Sequence, residues 1–139
     1  MRVLAIDFGT KRIGTAVSDE LGIIARPVET ITRPSLKESI ARLRDLVSEL
    51  GVDTVVVGLP LRLDNTVGDA AERVLRFAER LGRELGMKIL TQDERLTSYE
   101  ADQMMIERGF NRRKRREKSD EFAAMIILQD FISQTRTNN

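Results

Sequence analysis

The first eight residues, M-R-V-L-A-I-D-F, form a short apolar run that carries a single acid, Asp7, and is ended by Gly9. Successive residues of a strand point to opposite faces, so a continuous apolar run needs cover on both sides. A chain opening this way is expected to place the strand centrally in a sheet with helices on both faces. Burying the acid is costly unless it is paired, hydrogen-bonded or bound to a metal. The plain alternative is a strand-end aspartate that caps the glycine turn. The following D-F-G-T also brings flexible backbone next to the acid, where it can approach a phosphate.

The rest of the chain supplies the cover. Strands are expected at 2–8, 14–19 and 23–31, with a turn from Phe8 to Ile13 and Pro27 confining the third strand to an edge or a bulge. Ser35 and Glu38 make a capping box for a helix. In that helix Leu36, Ile40, Leu43, Val47 and Leu50 recur on one face, and Gly51 ends it. A buried strand at 54–58 and a loop at 59–68 follow. The second helix turns Ala71, Val74, Leu75, Ala78, Leu81 and Leu85 inward and stops at Gly86. A strand at 87–92 runs into Asp93, Glu94 and Arg95. Thr97 and Glu100 suggest a second capping box, for a helix ended by Gly109 beside which Tyr99 packs. After a basic loop, a last helix opens near Ser119 and carries Phe122, Ala123, Ile126, Ile127 and Phe131. The order β-β-β-α-β-α-β-α-α predicts one domain over residues 1–139. Its five-stranded mixed sheet would be an antiparallel meander followed by parallel strands, with helices on both faces.

The chemistry is narrowed by what is missing. The chain has no histidine and no cysteine, which excludes Ser-His-Asp triads, histidine bases, thiolate zinc sites and cysteine nucleophiles. Carboxylates remain, and a carboxylate site favours hard cations such as magnesium or manganese. Asp7, the Asp93-Glu94 pair and Asp120 each fall at an element end, and parallel strands gather their carboxyl ends into one crevice. Convergence there could hold two divalent ions and activate water for phosphodiester hydrolysis. Strand alternation does not separate Asp93 firmly from Glu94. Asp64 is a weaker candidate, in a loop that could approach the site. Net charge is only +1, yet residues 112–118, R-R-K-R-R-E-K, carry +5 and leave −4 for everything else. Arg112, Arg113, Lys114, Arg115 and Arg116, with Lys11, Arg12 and Arg95, are therefore candidates for gripping a nucleic-acid backbone. No stretch reaches membrane-spanning length, and a cytoplasmic setting is the expectation.

Four blocks also resemble a known family. D-F-G-T-K-R-I-G-T-A-V-S-D at 7–19, V-V-G-L-P-L at 56–61, D-E-R-L-T-S at 93–98 and S-D-E-F-A-A-M-I-I-L at 119–128 are similar, in order and spacing, to the YqgF family. Those bacterial RNase H-like proteins are described both as pre-16S rRNA nucleases and as Holliday junction resolvases. The resemblance implies an RNase H-like fold, active-site acids at Asp7, within D-E-R (Glu94 is the choice, Asp93 the alternative) and at Asp120, and maturation of the 16S rRNA 5′ end. In this chain Asp64-Asn65 stands where the family usually has D-G, and asparagine tolerates the left-handed turn that glycine would supply. Branched DNA is the alternative substrate. A non-catalytic nucleic-acid-binding or ribosome-assembly factor is the alternative class. D-x-G-T also opens sugar kinases and actin-like ATPases, but those close two similar domains over a nucleotide, and no second copy of the motif is present.

Overall fold

In a computed structural model of the chain, residues 1–32, 35–94 and 97–137 are described. Five strands form one sheet in the order β3-β2-β1-β4-β5. They are β1 (Val3–Phe8), β2 (Arg12–Ser18), β3 (Ala25–Thr32), β4 (Thr54–Leu59) and β5 (Ile89–Asp93). β1 pairs antiparallel with β2 and parallel with β4, β2 pairs antiparallel with β3, and β4 pairs parallel with β5. The apolar first strand is thus the middle strand, as its two-sided hydrophobicity requires. β3 is an edge, and its register against β2 shifts between Gly14 and Ala16, next to Pro27. Pro27 has no N–H for the ladder, so both features follow from one residue.

Four helices cover the sheet: α1 (Leu36–Glu49), α2 (Asp69–Leu85), α3 (Thr97–Glu107) and α4 (Arg112–Thr137). One face packs α1 and α2, through Ile40, Leu43, Phe77 and Leu81, onto Leu4, Ile6, Val17 and Val55. The other packs α3 and α4, through Met105, Phe122, Met125 and Ile127, onto Val3, Ala5, Ala16 and Val56. Burying each such Leu, Ile, Val, Met or Phe side chain contributes about 1.5–3 kcal/mol. No helix among the described residues is long and apolar enough to cross a membrane.

Local signals explain most boundaries. Ser35 caps α1, its Oγ accepting from the Glu38 amide at 3.1 Å. Gly86 ends α2 with φ of 66°, and Asn65 turns the loop after β4 with φ of 69°. Several expectations are corrected. β2 starts at Arg12, so the turn is shorter than Phe8–Ile13. In α2 Leu75 is 41% exposed and Phe77 is buried instead. Phe77 stacks on Phe8 at 4.0 Å between ring centroids, which rotates that face of the helix toward the end of β1. Thr97 is already helical and buried rather than a cap, and Tyr99 is exposed.

The largest correction concerns the basic block, which is not a loop but the first turns of α4. Asn111 starts the helix, its side-chain oxygen accepting from the Lys114 amide at 2.8 Å. Arginine and lysine are good helix formers, and Arg113 pairs with Glu117 one turn on. Arg115 turns inward: it pairs with Asp102 on α3 at 3.0 Å and donates to the Phe110 carbonyl.

Candidate active site

Asp7 lies near the carboxyl end of β1 and Glu94 directly follows β5, so the two acids sit on strands that are not neighbours. β4 runs between them. The registers place Ile6 beside Val57 and Gly58 beside Gln92, so the residue separating the acids is Gly58. A Cβ built there would come within 2.5 Å of the Glu94 Oε2 and of the Ile127 Cδ1. Adjacent strands lie about 4.8 Å apart, and the Glu94 side chain crosses that gap over a residue with no side chain. Its amide extends the parallel ladder by donating to the Leu59 carbonyl at 3.0 Å.

The Asp7 and Glu94 carboxyls hydrogen-bond to each other. Both are pushed above the usual carboxylate range, mainly because burial disfavours their charged forms. Glu94 is pushed up to about 9, the Asp7 charge adding to the effect of burial. A half-buried, hydrogen-bonded acid pair of this kind retains a proton unless a cation replaces it.

Asp120 reaches the same face from α4. Gly14 of β2 lies opposite Asp7, and the Asp120 backbone sits directly against it, in space that any β-carbon would fill. Two glycines therefore build the crevice: Gly14 lets α4 approach β2, and Gly58 lets Glu94 approach Asp7. The Asp120 charge also helps raise Asp7. Its own carboxylate pairs with the Arg12 Nε at 3.0 Å. The structure thus brings two carboxyls into contact and holds the third beside them against an arginine. Among the described residues no group of three or more acids is gathered closely enough to hold a metal ion.

The remaining candidates are scattered. Asp93 is exposed at the end of β5. Asp64 is exposed and caps its own turn through the Thr66 amide and hydroxyl. Arg95 lies outside the described residues. Lys11 is exposed on the turn after β1 and Arg12 at the start of β2, and Arg112, Arg113, Lys114 and Arg116 are exposed at the start of α4. Lys114 rests over the Phe110 ring at 4.1 Å. Sequence reasoning overlooked Gly14 and Gly58, whose signal was present as glycines inside otherwise apolar strands. It also overlooked Glu121, a buried acid next to Asp120 that accepts from the Thr30 hydroxyl at 3.2 Å and lies 3.7 Å from the Lys118 Nζ.

The model of the RuvX Holliday junction resolvase family matches residues 1–134. A protein of Agathobacter rectalis described as "Putative pre-16S rRNA nuclease" is 42% identical over 143 residues, covering 99% of this chain and 100% of its own. One of Geobacillus kaustophilus with the same description is 42% identical, covering 98% and 100%. In fold, the chain is similar to Thermus thermophilus RuvC in complex with Holliday junction substrate, with a TM-score of 0.60 and 17% identity across 99% of this chain and 97% of that one. The fowlpox virus Holliday junction resolvase is comparably similar, with a TM-score of 0.59, 15% identity and coverage of 96% and 99%. The mixed sheet with helices on both faces is thus an RNase H-like, resolvase-type fold, and the chain belongs to the RuvX family, the YqgF family that its four sequence blocks resemble.

Proposed function

We propose that this chain is a divalent-metal-dependent nuclease that hydrolyses phosphodiester bonds at Asp7, Glu94 and Asp120, acting in the cytoplasm on the 5′ end of pre-16S rRNA. The observation that carries the reading is the half-buried Asp7–Glu94 pair, held together across Gly58 with Asp120 beside it. The donor set suits magnesium or manganese, because it is all carboxylate oxygen and its paired, charge-averse acids gain from a cation in place of their shared proton. Bound there, one or two such ions would supply an activated water and stabilise the charge that develops on the phosphate.

The protein's own groups have separate tasks. Asp7 is fixed by the central strand and sets the position of the centre. Glu94 reaches over Gly58 to complete the pair. Asp120 joins them once it exchanges Arg12, its present partner, for the substrate-bound centre, and Arg12 is then released toward a phosphate. The cations at the start of α4 lie where the helix dipole is already positive, at a cost of roughly 0.3–1 kcal/mol each that a polyanion offsets. Branched DNA is the second reading, favoured by the fold likeness to a resolvase solved with its Holliday junction.

Incubating the purified protein with pre-16S rRNA and with four-way DNA junctions, each with magnesium or manganese, separates the two substrates. The variant Asp7→Asn keeps the shape of the pair but removes one charge. Cleavage is expected to fall about a hundred- to a thousandfold, equivalent to about 3–4 kcal/mol of lost transition-state stabilisation, with folding retained. Equal cleavage by a folded Asp7→Asn protein rules out the carboxylate centre. A wild-type protein that binds but cuts neither substrate with either metal assigns the chain to the binding-factor class.

A further inference from the structure

The turn that follows Asp7 also walls a second feature, on the opposite face of the sheet. A groove of about 610 Å³ is lined by Phe8, Gly9 and Thr10 on one side and by α2 on the other. α2 carries four acids and four arginines, so it is neutral overall, but the groove takes all four arginines and one of the acids. Arg73, Arg76, Arg80 and Arg83 recur at spacings of three, four and three, which is one helix face, and all four line the groove with a single acid, Glu79. Arg73 and Arg76 are exposed. Arg80 and Arg83 are steadied by Glu84 and Glu79. Four arginines against one acid leave the lining of the groove net positive, which suits an anionic ligand.

We infer that the α2 arginine stripe and its groove form a phosphate-backbone track for the nucleic acid cut at Asp7. This inference rests on the proposed nuclease function and extends the grip beyond the start of α4. Length identifies the occupant. From Arg73 to Arg83 the helix rises about 15 Å, which matches the rise of roughly four nucleotides of one strand at 3.4 Å each. A single phosphate would need one or two arginines, whereas a strand running off the end of β1 meets all four in turn. The groove begins at the residue after Asp7, so a backbone leaving the acids over the Gly9 turn enters it directly. The cations of α4 lie on the other face, beside Asp120. Substrate would then be held on both sides of the scissile bond, which fixes its register without reading its sequence.

The test measures binding of a labelled four-way DNA junction and of an RNA duplex between about 50 and 200 mM salt, using wild type, R73A/R76A and R73K/R76K. Losing two phosphate contacts is expected to raise Kd and to lower the log–log salt slope by about 1.4–1.8. The lysine pair is expected to restore the slope, and melting temperatures to stay level. If wild type binds and cleaves while R73A/R76A matches it in both Kd and slope, the track is overturned and the proposed function stands. If inorganic phosphate alone protects the groove and the salt slope is unchanged, the occupant is a small anion and the track is overturned. If wild type binds no nucleic acid, the proposed function falls and the track with it.

Discussion

Gly58 makes the clearest case for what one residue does here. Its missing side chain is the space in which Glu94 lies, with Ile127 closing the other side. Gly58→Ala places a methyl group 2.5 Å from both the carboxylate and the apolar side chain. The crowding is expected to destabilise the fold by about 1–3 kcal/mol and, more tellingly, to push Glu94 away from Asp7. Cleavage should therefore fall well beyond what the loss of folded protein explains. Thermal melts read alongside initial rates of folded protein check this, and a rate that tracks the folded fraction would make Gly58 a packing residue only. Gly14 performs the matching task for α4, and the effect of a side chain there is expected mainly on stability, because what it meets is the Asp120 backbone.

Elements owe their ends to a few polar contacts, and these carry a pH dependence. Asp19 turns the chain between β2 and β3, its carboxylate accepting from the Ile23 amide at 2.7 Å and the Ile24 amide at 3.1 Å. Those hydrogen bonds hold its pKa below the ordinary value near 3.8. A lowered carboxylate stabilises the fold above its unfolded pKa, and that stabilisation is lost as pH falls through the folded one. Asp19→Asn keeps an acceptor but no longer titrates. Its stability curve is expected to be flatter than that of wild type below about pH 4, measured by urea unfolding across the acid limb. Parallel curves would show that the turn does not depend on charge. The start of α4 follows the same logic: Asn111 supplies the cap, so the helix begins eight residues before a Ser119 cap would have begun it.

Over the whole molecule, four arginines line the α2 groove on one face of the sheet and exposed cations begin α4 on the other. The basic block is not uniform, however. Arg112, Arg113 and Arg116 are exposed, whereas Arg115 ties α4 to Asp102 and to the Phe110 carbonyl. Replacing the first three by alanine is expected to weaken nucleic-acid binding and to flatten its salt dependence by up to roughly 0.7–0.9 in log–log slope per contact, with little change in melting temperature. Arg115→Ala is expected to lower the melting temperature instead, because it removes a half-buried tie between α3 and α4. Filter binding over a salt series, paired with melts, distinguishes the two, and an unchanged slope in the triple variant would remove the block from the binding surface.

What the sequence determined alone was whatever depends on neighbours along the chain. The two-sided apolar run of Val3–Phe8 dictated a central strand, the repeats in 36–50 and 71–85 dictated helices, and Ser35, Asn65 and Gly86 marked their turns. Asp7, the D-E-R segment and Asp120 stood out as acids at element ends. The structure alone decided which of these meet, because that depends on strands far apart in sequence. Glu94 rather than Asp93 contacts Asp7 since Gly58 opens β4 beneath it. Asp120 stands beside the pair because Gly14 admits α4. The basic block reads as a solvated loop along the chain, having no apolar face of its own. It became a helix through Asn111 at its start and the hold of α3 on Arg115. The arginines of α2 read as ordinary surface charge until the sheet set them against the turn after Asp7. Periodicity reports which face of an element is apolar, but only the packing of distant segments determines what its polar face looks onto.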